Sequence, residues 1–451
     1  MTSPDVTEFL SWFQKIAPDA YFDGLIEEHH LRCRKRIYWL AVVVWLMIYQ
    51  RLHCDGSLAS AVDSLVQGGV FGLHRSQRCR RGRSKPISGA TGGYCQARQK
   101  LPTLVATQVT DHIFEQLRVH VQGNGPDLGR PVFAIDGSTL QLQHEPDWIQ
   151  AFPPGHNQHG DNHWPVMLIV AFHDAHIGLA ARPSWGAMYG PQAVSEQQLA
   201  EQALERLPAD AVVLADGNFG IFAFAHAVQR SQRPMLLRLT LSRAQKILGG
   251  TLRKGTHRKV VWKASRWDRQ AHPQLPEQAS IEGWVVVCRN PARPQEKLCL
   301  FTTLERSPEE LLALYKLRWN IETDLRSLKR TVGLHQIHSR TVPMAEKELV
   351  LAVAAYNLIR AIMVLAAQRS GLSPRQLSFA GVQAAVMAAM PGLDQAVTAA
   401  EYNQRMDRLL DYAAQARLPH RKRKRSYPRQ VWGRGGSFPT RRSGAGKGTI
   451  P

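Results

Sequence analysis

Apolar residues recur at helical spacing through Phe9–Ile16, Tyr38–Tyr49 and Leu101–Leu117, which predicts a mainly helical region up to about residue 125. At Pro131 the pattern changes. Val132 to Ile135 is a short unbroken apolar run and Trp164–Phe172 a second, separated by a polar stretch from His144 to His163. Gly178–Met188 predicts a third strand, Ser195–Leu207 an amphipathic helix, Ala211–Ala215 a buried strand, Phe222–Arg230 a helix and Pro234–Leu239 another strand. That order is the texture of a mixed α/β sheet, not of a helical bundle. From 241 to 303 the pattern turns β-rich and basic, in Arg253–Lys263, Ile281–Arg289 and Lys297–Thr303, and reads as an inserted β subdomain. Leu311–Leu334 is then a helix built from good helix formers, with no internal Pro or Gly until Gly333. Ser307 with Glu310 makes a capping box at its start, and Pro308 suits the first turn.

The expected division is therefore a helical basic region (1–125), an α/β core (126–240 and 304–370) interrupted by the β-rich insertion (241–303), a C-terminal helical region (371–418) and a basic tail (419–451). The tail has no acidic residue and many Gly, Ser and Pro, a composition that predicts disorder.

Charge narrows the class. The 451 residues carry a formal net charge of +21, whereas the hydrophobic fraction of 44% is that of an ordinary folded protein. Such an excess implies a polyanionic partner, and double-stranded DNA is the first choice. Arg32, Arg34, Lys35 and Arg36 form one N-terminal basic cluster, and Arg75, Arg78, Arg80, Arg81, Arg83 and Lys85 a second. A solvated surface would look the same one cluster at a time; the overall excess favours phosphate contacts. The six cysteines include no CxxC pair, which argues against a zinc ribbon, and they are too sparse for a disulfide scaffold. Reduced thiols and a cytoplasmic, nucleoid-associated location are expected. No signal peptide is expected from the polar, acidic first residues. No membrane association is expected either. Ile37–Tyr49 is too short to span a bilayer, and Leu349–Ala367 carries Asn357 and Arg360 mid-run and reads as a buried core helix. His156, His159 and His163 lack both a nearby Cys and a regular spacing, which argues against zinc.

Three carboxylates carry the candidate chemistry. Asp136 and Asp216 each follow an apolar strand and precede a Gly, at the carboxyl ends of strands where α/β sheets bind ligands. An Asp-Gly turn would leave the same trace. On the 311–334 helix, Tyr315, Arg318, Glu322 and Lys329 fall within a stripe roughly 60° wide at 100° per residue. Arg318 and Glu322 could be an ordinary i,i+4 pair. If Glu322 joins the two aspartates, three converging carboxylates need cations to neutralise them, and hard divalent ions suit such oxygen ligands. Two such ions activate water or a hydroxyl and stabilise a leaving oxygen at phosphorus.

The spacing Tyr315-x2-Arg318-x3-Glu322-x6-Lys329 resembles the signature of bacterial insertion-sequence transposases of the IS-four group, DDE transposases with a ribonuclease-H-like core. Leu314-Tyr315, Arg318-Trp319, Ile321-Glu322, Leu300 to Leu304, Asp136-Gly137, Asp216-Gly217-x-Phe219 and Tyr94-Cys95-Gln96-Ala97-Arg98 are similar too, so the resemblance covers roughly residues 90 to 365. It implies a ribonuclease-H-like mixed sheet and a catalytic, metal-binding triad of Asp136, Asp216 and Glu322 with Mg²⁺ or Mn²⁺, two ions. Arg318 would contact a phosphate near the scissile bond, Tyr315 would position flanking DNA, and Lys329 would hold the transposon-end backbone. A β-rich insertion before Glu322 is a trait of the group, in which a Trp receives a flipped base of a DNA hairpin. Trp262, Trp267 and Trp284 are all candidates. Gly217-Asn218 stands where many relatives carry Arg, a departure that bears on the local DNA contact. The expected function is cut-and-paste DNA cleavage and strand transfer by a homodimer on transposon ends and target DNA. The alternatives are a catalytically inactive repressor and a tyrosine recombinase, which would want an Arg/His constellation around its Tyr instead of three carboxylates.

Overall fold

Val132–Gln141 forms the central strand, β1, because its apolar residues alternate between two faces that are both covered. The computed structural model describes residues 9–33, 37–53, 56–67, 87–121, 129–157, 160–291, 295–394 and 398–419. Before β1 lie α1 (Phe9–Ile16), α2 (Asp19–Glu28), α3 (Leu40–Leu52), α4 (Leu58–Val66), α5 (Gly92–Lys100) and α6 (Thr103–His120). The described part of the first 125 residues is thus helical, as the apolar spacing predicts. After β1 come α7 (Pro146–Ala151), the short hairpin β2 (His156–Asn157) and β3 (Gly160–Asp161), then β4 (Val166–Asp174), β5 (Ser184–Ala187), α8 (Glu196–Leu204), β6 (Val212–Ala215), α9 (Phe222–Arg230) and β7 (Met235–Leu239). Next are α10 (Leu241–Leu248), β8 (Thr256–Lys263), α11 (Arg266–Ala271), β9 (Ser280–Arg289) and β10 (Lys297–Thr302).

Eight of these strands form one sheet in the order β5-β4-β1-β6-β7-β10-β9-β8. β4 and β5 run antiparallel on one side of β1, and β6 and β7 run parallel to it on the other. Those five strands are the mixed core of the sheet. The 241–303 segment does not build a sheet of its own. β10 pairs antiparallel with β7, β9 with β10 and β8 with β9, so the insertion extends the core sheet at its β7 edge.

One sheet face is covered by the long helical stretch that follows β10. Ser307 caps α12 (Pro308–Lys316) in a reciprocal capping box with Glu310, as the sequence predicts. The helix does not run unbroken. Leu317–Trp319 tightens into a 3-10 turn, α13 (Asn320–Arg326) resumes, and Ser327–Thr331 loosens into a π turn before Gly333, whose φ of +73° terminates it. Leu311, Leu314, Tyr315, Ile321 and Leu325 pack on Val132, Ala134, Val212, Leu214, Leu236 and Leu300.

α14 (Val342–Arg369) is long and apolar enough to cross a membrane, but 94% of its most apolar window is buried inside the fold. It packs on α3 and α6. Its mid-run polar groups have partners: Asn357 bonds both backbone groups of Ala180 at 2.8 Å, and Arg360 pairs with Asp324. α15 (Phe379–Asp394) and α16 (Ala399–Ala413) complete a first unit, residues 1–417. A second unit comprises 418–451, and beyond residue 419 it lies outside the described residues, as does the expected basic tail.

Candidate active site

Strand register brings the first two carboxylates together. Val132, Phe133 and Ala134 of β1 lie opposite Val212, Val213 and Leu214 of β6. Two residues further in the same register, Asp216 follows the end of β6 beside Asp136. Adjacent strands are about 4.8 Å apart, and equal register means equal side-chain direction. Ala134 and Leu214 face the 308–331 helix, and so do Asp136 and Asp216. The next strand continues the row: Leu214 and Ala215 pair with Leu236 and Leu237 of β7, so Arg238 stands at the level of Asp216. Its side chain reaches Gly217. The sequence reading missed Arg238, whose alignment exists only once β6 and β7 pair.

The electrostatics are those of an acidic edge short of positive charge. Asp136 is pushed up to about 6, first by burial and then by Asp216; the Gly137 N–H, donating to Oδ1 at 2.9 Å, and Arg318 pull it down, and Glu196 pushes it up again. Glu196, at the start of α8, was not foreseen either. Its carboxylate accepts from the Asn218 amide, and burial and Asp216 raise it. It lies against Gly137 on the opposite side of β1, where any Cβ would collide with it. Asp216 accepts the Asn218 N–H at 2.9 Å, which fixes the turn after β6.

The facing helix supplies the other predicted groups. Glu322 is open to solvent, its side chain 46% exposed, and its carboxylate lies 3.5 Å from the Arg318 guanidinium. Arg318 is itself buried and stacked over the Trp319 ring at 4.7 Å. Tyr315 is buried beside it; burial pushes its hydroxyl up to about 12 against the pull of Arg318. Lys329 donates to Ser138 Oγ at 3.0 Å and to the Thr139 carbonyl at 2.7 Å, so its ammonium is engaged by β1 itself. That bond ties the end of the helix to the strand that carries Asp136.

Oxygen donors side by side, with one carboxyl raised by burial and by its neighbour, fit a hard divalent cation. Among the described residues, however, no three Asp, Glu, His or Cys side chains stand close enough to hold an ion as they are. Glu322 would have to swing from Arg318 to complete the set.

The remaining candidates are scattered. Arg32 is exposed on the rim of a cleft of about 990 Å³ between residues 31–43 and 93–102. Arg34, Lys35, Arg36, Arg78, Arg80 and Arg81 lie outside the described residues, and so does His159. His163 stacks on His144 at 4.1 Å, and His156 is an exposed member of the β2–β3 hairpin. Of the three tryptophans, Trp262 is buried, Trp284 is half-buried beside His257, and Trp267 is 73% exposed. Trp267 borders a cavity of about 520 Å³ with Arg243, Lys246 and Lys263.

The family model described as Transposase DDE domain matches residues 127–358, just over half of the chain. The chain belongs to the DDE transposase family. The matched span opens ahead of β1 and closes within α14, so it contains Asp136, Asp216, Arg238, Glu322 and Lys329. No curated protein matches the chain. Among solved structures, it is similar to the cryo-EM structure of a piggyBac transposase synaptic complex with hairpin DNA, at 12% identity and a TM-score of 0.44, over 93% of this chain and 87% of that one.

Proposed function

We propose that the protein is a transposase of the IS-four group that cleaves DNA at the ends of its element and joins the freed ends to target DNA. The observation that carries the reading is the common register of Asp136 and Asp216 beneath the helix that bears Glu322. These three carboxylates would hold Mg²⁺ or Mn²⁺, which supplies activation of the attacking water or 3′-hydroxyl and neutralises charge at the leaving oxygen. Asp136 and Asp216 are held by a rigid sheet. Glu322 closes the set from the helix and in doing so frees Arg318 for a scissile phosphate. Arg238, in line with the aspartates, provides a second guanidinium for the same strand of DNA. Tyr315 stays protonated and orients flanking DNA; it is not a nucleophile. Lys329 exchanges its β1 partners for backbone phosphate. Exposed Trp267, ringed by cations, suits a base turned out of a hairpin intermediate. Two ions, a homodimer bridging two ends, and action on the nucleoid in the cytoplasm complete the proposal.

The deciding experiment is strand cleavage of DNA carrying the flanks of this gene, with Mg²⁺ and with EDTA. Wild-type chain should cleave only with metal, and Glu322→Gln should lose at least about 10²-fold in rate while still shifting the DNA in a gel. Binding without cleavage by either protein would favour the repressor instead.

A further inference from the structure

Asp324 is wholly buried on the catalytic helix, two residues beyond Glu322. It lies about 160° around the helix from Glu322, on the flank away from the Tyr315–Lys329 stripe. Its carboxylate accepts from Arg360 of α14 and, at 2.6 Å, from Arg375, which follows that helix. The same Arg375 guanidinium donates to the carbonyls of Asp174, Ala175 and His176, the turn after β4, at 2.8, 3.0 and 3.0 Å. Asn320 donates to the Ala175 carbonyl as well, at 2.9 Å. That turn is bonded in turn to the root of β1, through Ala175 N–H to the Val132 carbonyl at 2.7 Å. Arg360 is held by the Tyr356 hydroxyl at 2.8 Å, and Tyr356 donates to the Gly178 carbonyl at 2.9 Å. A continuous chain of bonds thus joins the level of Glu322 to the strand that carries Asp136.

A buried ion cluster of this kind is a poor device for stability alone, since apolar residues of similar volume stabilise as well or better. What it adds is direction. The leucines under the helix resist its leaving the sheet, but apolar contact is non-directional and tolerates rotation. Charge-assisted bonds to a planar guanidinium fix an angle.

We propose that Asp324 is a positioning residue, which with Arg360 and Arg375 sets the rotation of the catalytic helix and so the reach of Glu322 toward Asp136 and Asp216. This rests on the proposed metal site, and the test separates the two. Mn²⁺ binding to the full chain is measured by calorimetry for wild type, Asp136→Asn, Glu322→Gln, Arg375→Gln, Asp324→Asn and the Glu322→Gln/Arg375→Gln double variant, with a melting curve for each. The expected result is a roughly 10–100-fold loss of Mn²⁺ affinity in Arg375→Gln, the size usual for groups that orient a metal ligand. In the Glu322→Gln background the same change should have no further effect. Arg375 is partly exposed, its side chain at 18%, so this variant carries the test if Asp324→Asn fails to fold. Arg375→Gln with a lowered melting temperature and unchanged Mn²⁺ affinity, or losses that multiply in the double variant, would overturn the proposal. If Asp136→Asn and Glu322→Gln both bind Mn²⁺ as wild type does, the metal site falls and the positioning role falls with it.

Discussion

Two kinds of carboxylate sit within one chain and are treated oppositely. Asp324 lies between Arg360 and Arg375, and Glu348 between Arg51 and Arg98 at 2.5 and 2.8 Å. Burial would raise both, but the paired arginines more than reverse it, and both carboxyls end below their ordinary range. Asp136 and Asp216 stand next to each other instead; burial first, then Asp216 and last Glu196 raise Asp136, which ends well above its range. Arg318 pulls Asp136 down only in part, and Arg238 stands level with Asp216, so the nearby arginines do not cancel the acidic pair. Carboxylates that hold structure are saturated with cations, whereas those left wanting charge are the ones free to take an ion or a phosphate complex. All four structural arginines lie outside the family-matched span, so the frame around the acidic edge extends beyond the matched domain.

The contrast breaks most visibly by truncation. Glu348→Ala removes the buried carboxylate that Arg51 and Arg98 share and should destabilise the fold by about 3–5 kcal/mol in urea unfolding, while Asp136→Asn should be neutral or stabilising. Equal losses from the two substitutions would abolish the distinction.

The pH dependence sharpens it. Asp136 has an ordinary value of 3.8 and titrates in the fold at about 6, so the folded chain binds its proton more tightly than the unfolded chain does. Its contribution to stability is whole below about 4, declines between about 4 and 6, and is gone above that. Wild type should therefore approach Asp136→Asn in unfolding free energy below pH 4 and fall behind it at pH 7, by on the order of 1–2 kcal/mol once solvent screening is allowed for. A constant difference across that range would refute the raised carboxyl. The smallest effect belongs to Glu196→Gln, which removes the weaker of the two like charges that act on Asp136. It should lower the Asp136 titration, followed by carboxyl-carbon NMR, by less than about one pH unit.

Much of this arrangement is legible in the sequence because it is local. The Ser307–Glu310 box, the apolar run that stops before Asp216 and the 3.6-residue rhythm of Phe222–Arg230 depend on neighbours a few positions away, and each appears as read. Asp136, read as the end of a short strand, lies instead in the middle of β1, because pairing with β4 carries that strand on through polar residues to Gln141. What was missed is non-local. Arg238 joins the site only through strand pairing, and Glu196 only because α8 returns across β1 beside Gly137. Asp324 shows in sequence as one more charge on a charged helix, since its partners arrive 36 and 51 positions later. The 241–303 segment reads as β-rich but gives no sign that β10 would join β7, because edge pairing leaves no periodic trace in either strand.

The position of β10 has a further consequence for a chain that is still being made. β10 is the last strand to be synthesised yet sits between β7 and β9, so the sheet cannot close until residue 302 has emerged. The residues that follow at once are those of the helix with Glu322. A nascent chain therefore carries both aspartates long before it carries Glu322, and on the proposed metal site any product ended before residue 322 has the acidic pair without its third carboxylate.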